Sequence, residues 1–220
     1  MSVLRHRYQT LEFGNSDIHL RTLRDRQQYA DPDGTAADLG IYAGTWPHFG
    51  VVWDSSMVLA HLMYDYDIRC KRILEVGCGV ALSSHVLNQR QANITATDHH
   101  PEVESYLKVN VALNGGKPIS FIRCDWAEED DQLGRFDLII GSDLLYELDH
   151  PKLLSSFIES HANPTCEVVI VDPGRSHQAA FTKKMIAMNY SYTGSTPDNS
   201  VDYLASSFKG KILKYCRKAI

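Results

Sequence analysis

Residues 72–82 read Arg-Ile-Leu-Glu-Val-Gly-Cys-Gly-Val-Ala-Leu, an apolar, β-branched run that breaks into two closely spaced glycines before a helix-compatible segment. A strand, a glycine turn and the start of a helix present backbone N–H groups and a helix N-terminus to a ligand. This stretch therefore predicts a turn that holds a nucleotide-like cofactor. The pattern alone leaves NAD, FAD and S-adenosylmethionine open.

The composition of the whole chain is that of one globular domain. The 220 residues are 44% hydrophobic and 22% charged, with a formal net charge of −5, and a chain of this length is too short for two full-sized domains. Because sequence-independent nucleic-acid binding depends on Lys and Arg, the acidic balance gives no reason to expect a nucleic-acid partner. The oligomeric state stays open.

Targeting and metal-binding signals are weak in this chain. The first residues, MSVLRHRYQTLEF, lack the apolar centre of a signal peptide, and no apolar run reaches about 18 residues. The five cysteines are odd in number and never spaced as C-x-x-C, which is typical of reduced thiols. We expect a cytoplasmic protein with no membrane segment and no metal site.

The first forty residues differ in character from the rest. Residues 8–13 and 18–23 flank Gly14-Asn15 and predict a β-hairpin, and DPDGTAADLG at 31–40 predicts a loop. We therefore expect an N-terminal extension over residues 1–40 and the main domain over residues 41–220.

Strand-like and helix-like segments alternate through the main domain. Strands are predicted at 72–76, 93–97, 119–123, 136–141 and 167–171, and helices at 81–89, 102–113, 151–161 and 178–188. A further helix is expected to start at an Asp54 cap and to run to about residue 64. Parallel neighbours need helical crossovers, so the fold predicted is α/β, a Rossmann-like doubly wound sheet. SYTGS and residues 211–215 would add two antiparallel strands, for seven in total.

Two residues distinguish between the cofactors. The third glycine of a dinucleotide fingerprint is replaced by Leu82, which argues weakly against NAD and FAD. Glu75 comes two residues before Gly77, where we expect its carboxylate to face the ligand crevice. An acid there would repel a diphosphate but suit the ammonium and sulfonium of S-adenosylmethionine. The alternative is a plain glycine turn.

Carboxylates also follow the next two predicted strands. Asp98 could accept hydrogen bonds from two ribose hydroxyls, or it could cap the helix that begins near Pro101. Asp125 could accept from an exocyclic adenine amine while Trp126 covers the base. Alternatively they are a loop aspartate and a core tryptophan. The acidic run at 128–131 is expected to be a solvated loop.

These segments together resemble a known family. RILEVGCGVA, TATDHHPEV, RCDWAEE and FDLIIGSDLLYE look like successive motifs of class I, seven-β-strand S-adenosylmethionine-dependent methyltransferases. GVVWDSSMVLA, the pair Asp125-Trp126 and the D-x-x-Y motif at 143–146 are similar to the methyltransferase 16 group of protein lysine methyltransferases. VDPGR at 171–175 is most like the branch that modifies the electron-transfer flavoprotein β subunit. The resemblance covers residues 46–188.

The resemblance implies roles for individual residues. It places the methionine end of the cofactor at Glu75 and the glycine turn, the ribose at Asp98 and the adenine at Asp125 and Trp126. The residues implied to touch cofactor are Trp53, Glu75, Gly77, Cys78, Gly79, Asp98, Asp125, Trp126 and Ser142. Asp143 and Tyr146 would lie at the methyl-accepting lysine. Ala81 stands where many relatives have glycine, a change that we expect to be tolerated.

The function implied is transfer of a methyl group to a lysine side chain of a protein, with S-adenosylhomocysteine as the product. Asp143 or Tyr146 could orient the amine or pass its proton to water, although they could also be a helix cap and a pocket wall. Trp46 and Phe49 could line an acceptor channel or form a packing turn. The alternatives are a small-molecule N-methyltransferase and a non-catalytic interaction module.

Overall fold

The computed structural model describes residues 4–25, 29–127 and 132–218. Its strands are β1 (His6–Phe13), β2 (Ser16–Leu23), β3 (Arg72–Val76), β4 (Asn93–Asp98), β5 (Ser120–Arg123), β6 (Phe136–Ser142), β7 (Ala162–Asp172), β8 (Ser191–Ser195) and β9 (Lys211–Arg217). Its helices are α1 (Thr35–Asp38), α2 (Asp54–Asp65), α3 (Leu82–Gln89), α4 (Val103–Leu113), α5 (His150–His161) and α6 (Gln178–Ala187), with 3₁₀ helices at Ala43–Gly50 and Ser200–Asp202. The acidic run at 128–131 lies outside the described residues.

Seven of these strands form one sheet in the order β5-β4-β3-β6-β7-β9-β8. The first five in this order are parallel, whereas β9 is antiparallel to both β7 and β8. The chain moves outward from β3 to β5 and then returns to place β6 beside β3, which opens a crevice at the carboxyl ends of these strands. The predicted α/β fold with a mostly parallel seven-stranded sheet is confirmed.

Alternate residues of the central strands enter different cores. Ile73 and Leu138 join a buried cluster with α2 and α4, while Leu74 and Ile139 join a second cluster with α5 and α6. Because helices cover both faces, neither side of a central strand meets water, and the strands read as continuous apolar runs. This packing fixes the ends of β3, β4 and β6, at which the candidate site residues lie.

The predicted β-hairpin is confirmed as β1 and β2 and packs onto the main domain. Phe13, Ile18 and Leu20 are fully buried in a third apolar cluster with residues of α2 and α3. That cluster includes Met57 and Leu82. The hairpin therefore shares a core with α2, which precedes β3, and with α3, which follows the glycine turn.

The outer edge of β2 is paired by the side chains of Asn110 in α4 and of Asn114, the C-cap of that helix. Asn110 accepts from the Arg21 N–H at 2.7 Å and donates to the Arg21 carbonyl at 3.3 Å. Asn114 makes the same two bonds with His19, both at 2.8 Å. Residues four apart on a helix rise about 6 Å, close to the roughly 6.7 Å between alternate strand residues. The two amides therefore match the register of the strand and complete its hydrogen bonds.

Two local expectations are corrected. Residues 31–40 are not a plain loop, because Asp31 accepts bonds from the Ala36 and Ala37 N–H groups and stabilises the single turn of α1. Asp54 is not the cap of α2 but its first helical residue; Trp53 is the N-cap, and its N–H donates to Ser56 Oγ at 3.1 Å. Within the described residues, no helix is long and apolar enough to cross a membrane.

Candidate active site

A cavity of about 620 Å³ opens at the carboxyl ends of β3, β4 and β6, a volume suited to a nucleoside-sized ligand. With the exception of Glu75, every site residue predicted from the sequence lines it. These residues are Trp53, Gly77, Cys78, Gly79, Asp98, Asp125, Trp126, Ser142, Asp143 and Tyr146. The cavity therefore joins the expected cofactor residues to the expected acceptor residues.

The glycine turn needs glycine for two reasons. Gly77 and Gly79 have φ angles of +59° and +53°, in the left-handed region that side chains disfavour. A Cβ atom on Gly77 would lie 2.6 Å from Leu144 Cδ2, and one on Gly79 would lie 3.1 Å from the Phe49 carbonyl oxygen. At Gly77 and Gly79 the cavity wall is therefore formed by backbone atoms.

Ala81 shares this unusual backbone, with φ at +57° and a fully buried methyl group. Its Cβ makes the left-handed conformation less favourable than it would be for glycine. Glycine would therefore adopt this backbone conformation more readily than the alanine present at position 81.

Glu75 does not face the crevice as expected. Its carboxylate is buried and accepts bonds from the Ser84 N–H and hydroxyl in the first turn of α3. Burial raises the pKa of Glu75 to about 7, against the opposing effect of the Ser84 bonds. In the described chain its side chain is absent from the cavity wall. The bonds between Glu75 and Ser84 connect β3 to α3, and they therefore hold the two elements on either side of the glycine turn.

Asp98 joins two turns of the site. Its Oδ2 accepts from the Gly79 N–H at 2.8 Å and its Oδ1 from the His100 N–H at 2.9 Å. Burial raises the pKa of this carboxyl. The alternative role as a helix cap is wrong, because α4 begins at Val103 and has Glu102 as its N-cap. The carboxylate remains on the cavity wall, beside the turn that it holds.

Asp125 and Trp126 form a further part of the wall. Asp125 Oδ1 accepts from the Ala127 N–H at 2.9 Å, and its Oδ2 lies 3.8 Å from His99 Nδ1. The Trp126 ring meets His150 edge to face, with 5.2 Å between ring centroids. Trp126 is therefore a partly buried part of the cavity wall, in edge-to-face contact with His150.

The 3₁₀ helix Ala43–Gly50 covers the glycine turn. Phe49 stacks on His100 at 4.0 Å and lines the cavity, and burial lowers the pKa of His100 to about 4. Trp53 Nε1 donates to the His48 carbonyl at 3.1 Å. Trp46 instead donates to the Ile41 carbonyl at 2.9 Å and packs against the core. Of the two suggested channel aromatics, only Phe49 thus lies on the wall of the described cavity.

Asp143 is held by a residue that sequence reasoning missed. Arg175 donates to both of its carboxylate oxygens, from Nε at 2.8 Å and from Nη2 at 3.0 Å. Asp143 is not a helix cap, because α5 begins only at His150. VDPGR spans the carboxyl end of β7, the strand beside β6, so the neighbouring strand ends were the available signal. Two loops whose paired residues lie 32 positions apart therefore meet at the D-x-x-Y side of the cavity.

Tyr146 is the other D-x-x-Y residue, and its side chain forms the rim of the cavity. Its ring meets His150 at 4.6 Å and His48 at 6.2 Å, both edge to face. Partial burial raises the pKa of Tyr146 above its ordinary value. His48 and His150 also line the cavity and were not anticipated from the sequence.

The sheet order and the position of this cavity define the class I methyltransferase fold. The fold of magnesium protoporphyrin IX methyltransferase from Synechocystis PCC 6803, solved with bound S-adenosylmethionine, is similar with a TM-score of 0.57 and 18% identity. It covers 74% of this chain and 78% of that chain. The 16S rRNA N2 G1207 methyltransferase of T. thermophilus, solved with the same cofactor and guanosine, has a TM-score of 0.63 at 13% identity, covering 97% and 51%.

The model of the lysine methyltransferase family, methyltransferase 16, matches residues 46–188, and the chain belongs to this family. The resemblance expected from the sequence motifs and the expected cofactor, S-adenosylmethionine, are confirmed by this match.

Three curated relatives are similar to parts of the chain. Protein N-lysine methyltransferase METTL21A of Danio rerio is 35% identical over 50% of this chain and 56% of that protein. Electron transfer flavoprotein beta subunit lysine methyltransferase of Mus musculus is 27% identical over 72% and 61%. Histidine protein methyltransferase 1 homolog of Dictyostelium discoideum is 30% identical over 56% and 40%. The chain thus spans about half the length of the curated relatives it matches.

Proposed function

We propose that the protein is an S-adenosylmethionine-dependent methyltransferase that methylates the side-chain nitrogen of a lysine in a protein substrate. The observation that carries this proposal is the shared cavity, in which the glycine turn with Asp98 and Asp125 lies together with the D-x-x-Y residues Asp143 and Tyr146. When bound, the cofactor supplies a methyl group on a sulfonium that is already activated for transfer.

The proposed cofactor contacts follow the cavity wall. The backbone of Gly77, Cys78 and Gly79 would hold the methionine end, and Asp98 would accept from the ribose hydroxyls. Asp125 and Trp126 would bind the adenine, with Trp53 and Ser142 completing the pocket. Both Asp98 oxygens already accept one N–H each and keep lone pairs for a ligand. Glu75 would act indirectly, through its bonds to Ser84.

The acceptor amine has to lose its proton before it reacts. A lysine amine has an unperturbed pKa near 10.4, and transfer into an aromatic pocket lowers that pKa because desolvation disfavours the charged form. Tyr146 and His48 provide aromatic rings at the rim. Both Asp143 oxygens accept hydrogen bonds from Arg175, which fixes the direction of this carboxylate. We therefore propose that Asp143 orients the lysine amine, and that the proton of the amine leaves to water. Proximity and alignment would then supply most of the rate.

The experiment is incubation of the purified protein with methyl-labelled S-adenosylmethionine and a native cell lysate, followed by mass spectrometry of the labelled protein. We expect label on a lysine, and a Lys→Arg replacement in that substrate should abolish it. Label only in small molecules would favour a small-molecule N-methyltransferase. A failure to bind S-adenosylmethionine in calorimetry would favour the non-catalytic module.

A histidine acceptor is the second candidate, because one similar relative is a histidine protein methyltransferase. The same spectra distinguish the two, since the modified residue is read directly from fragment masses. A nucleic-acid substrate is not proposed, given the net charge of −5. We also propose a cytoplasmic location, supported by the odd number of cysteines, five, and by the lack of C-x-x-C spacing, which are typical of reduced thiols.

A further inference from the structure

We propose that Arg175 is a positioning residue for methyl transfer, which acts through Asp143 to hold the loop of Tyr146 against the cavity. This inference rests on the proposed function. Arg175 lines the cavity, yet its guanidinium is directed to Asp143 by two hydrogen bonds. A fork of this kind fixes the direction of a carboxylate as well as its position.

The backbone of Arg175 is itself fixed. Asp172 is fully buried, and its Oδ1 accepts from the Gly174 N–H at 2.8 Å and from the Arg175 N–H at 2.7 Å. The turn after β7 therefore has a set conformation before the side chain of Arg175 reaches across to the end of β6.

The partner, Asp143, has an unusual backbone that needs support. Its φ is +55°, a left-handed conformation that few residues other than glycine adopt. Its N–H donates to the Val171 carbonyl at 2.9 Å, so backbone and side chain both attach it to the β7 segment. Such strain persists only where neighbouring contacts determine the conformation.

The loop beyond Asp143 carries this constraint to the cavity rim. Leu144 and Leu145 are buried in the core, and the Leu144 carbonyl lies 2.6 Å from His150 Nδ1. Tyr146 follows directly, with its side chain on the cavity wall. The loop is thus attached at Asp143 by Arg175 and the Val171 carbonyl, at its buried leucines and at His150, and loss of the Arg175 contact would loosen the direction of Tyr146.

A second pair in the chain provides a matched control. Arg69 also donates to both oxygens of an aspartate, Asp67, each at 2.9 Å. That pair is exposed, with 87% of Arg69 and 58% of Asp67 accessible, and neither residue lines the described cavity. The Arg175 side chain is 43% accessible and that of Asp143 only 12%. Arg69→Met therefore removes the same pair of arginine–aspartate hydrogen bonds at a place outside the cavity.

The test compares Arg175→Met, Arg175→Lys and Arg69→Met in the full chain, with labelled S-adenosylmethionine and a native lysate. We expect Arg175→Met to lower the rate at saturating cofactor by about tenfold or more, with the KM for S-adenosylmethionine within about twofold. Arg175→Lys should recover part of the rate, because lysine keeps the charge but not the fork. Arg69→Met should behave as the wild type.

Two further measurements separate positioning from general stability. Amide hydrogen exchange in residues 143–149 should be faster in Arg175→Met and unchanged in Arg69→Met, at similar melting temperatures. The double variant Asp143→Asn/Arg175→Met should be no slower than the slower single variant, because both changes break the same contact.

Full activity of Arg175→Met, or additive rate losses in the double variant, would overturn the inference. So would a rate loss that follows only from a lower melting temperature. A wild-type protein that labels no lysate protein would instead refute the proposed function, which keeps the two failures distinguishable.

Discussion

Asp98 and Tyr146 allow cofactor binding and methyl transfer to be separated by single substitutions. Asp98 holds the glycine turn through Gly79 and faces the cavity, so Asp98→Ala should raise the Kd for S-adenosylmethionine on the order of a hundredfold. Tyr146→Phe keeps the ring contacts with His150 and His48 and loses only the hydroxyl. It should bind the cofactor normally but turn over about tenfold more slowly.

Calorimetry with S-adenosylmethionine and initial rates with labelled cofactor check this pair. Equal losses of cofactor affinity in both variants would contradict the division of roles.

Glu75 makes stability depend on pH in a defined window. Burial raises its pKa from 4.5 to about 7 in the folded protein, so between these values the folded chain binds a proton that the unfolded chain has lost. The contribution of Glu75 is therefore complete below about pH 4.5 and is lost as pH rises through 7. We expect a loss on the order of 3 kcal/mol in the free energy of unfolding across that window.

Urea unfolding at pH 4 and pH 8 measures this loss, with Glu75→Gln as the control. Glutamine keeps the shape and an acceptor oxygen for Ser84 but does not titrate, so its free energy of unfolding should fall less between the two pH values. The same fall in both proteins would assign the effect to other groups.

At the scale of elements, the junction of α4 with β2 depends on Asn110. This side chain is fully buried and satisfies both the N–H and the carbonyl of Arg21. Asn110→Ala leaves these backbone groups without a partner in a buried region, and we expect a loss of about 2 kcal/mol in the free energy of unfolding. Asn114→Ala, at the more exposed end of the junction, should cost less. Urea unfolding of the two variants measures these losses. Equally small losses of unfolding free energy in both would show that water replaces the two side-chain amides.

The elements of the fold were predictable because each has a local cause. Buried parallel strands produce apolar runs, and their spacing left room for helical crossovers, so the order of strands and helices followed from residues 72–171. The turn of α1 was missed because its support is a side-chain bond from Asp31, which composition does not reveal.

The sequence predicted which residues lie together at the cavity, but not the direction in which each side chain points. Strand ends placed Asp98 and Asp125 at the cavity, whereas the side chain of Glu75 turned to α3 because Ser84 offers it two bonds in a buried region. The pairing of Asp143 with Arg175 joins two loops through side-chain rotamers, and no local pattern encodes such a contact.

At the scale of the whole molecule, the N-terminal hairpin belongs to the shared core. Phe13 is fully buried and packs in the cluster of α2 and α3, so Phe13→Ala should lower the free energy of unfolding by about 3 to 4 kcal/mol. We expect one cooperative transition in urea, followed by circular dichroism and by tryptophan emission. Tyr8→Ala, an exposed residue of the same strand, is the control. A separate early transition in Phe13→Ala would show that the hairpin unfolds alone.

The cavity wall also gives the molecule a built-in optical reporter. Two of its three tryptophans, Trp53 and Trp126, line the cavity, while Trp46, which donates to the Ile41 carbonyl, is not among the lining residues. An adenine ring that enters beside an indole changes its local polarity and stacking, so ligand entry should alter the intrinsic ultraviolet fluorescence of the unlabelled chain. Kinetics of loading and release could then be followed by stopped-flow mixing without a dye or a coupled enzyme.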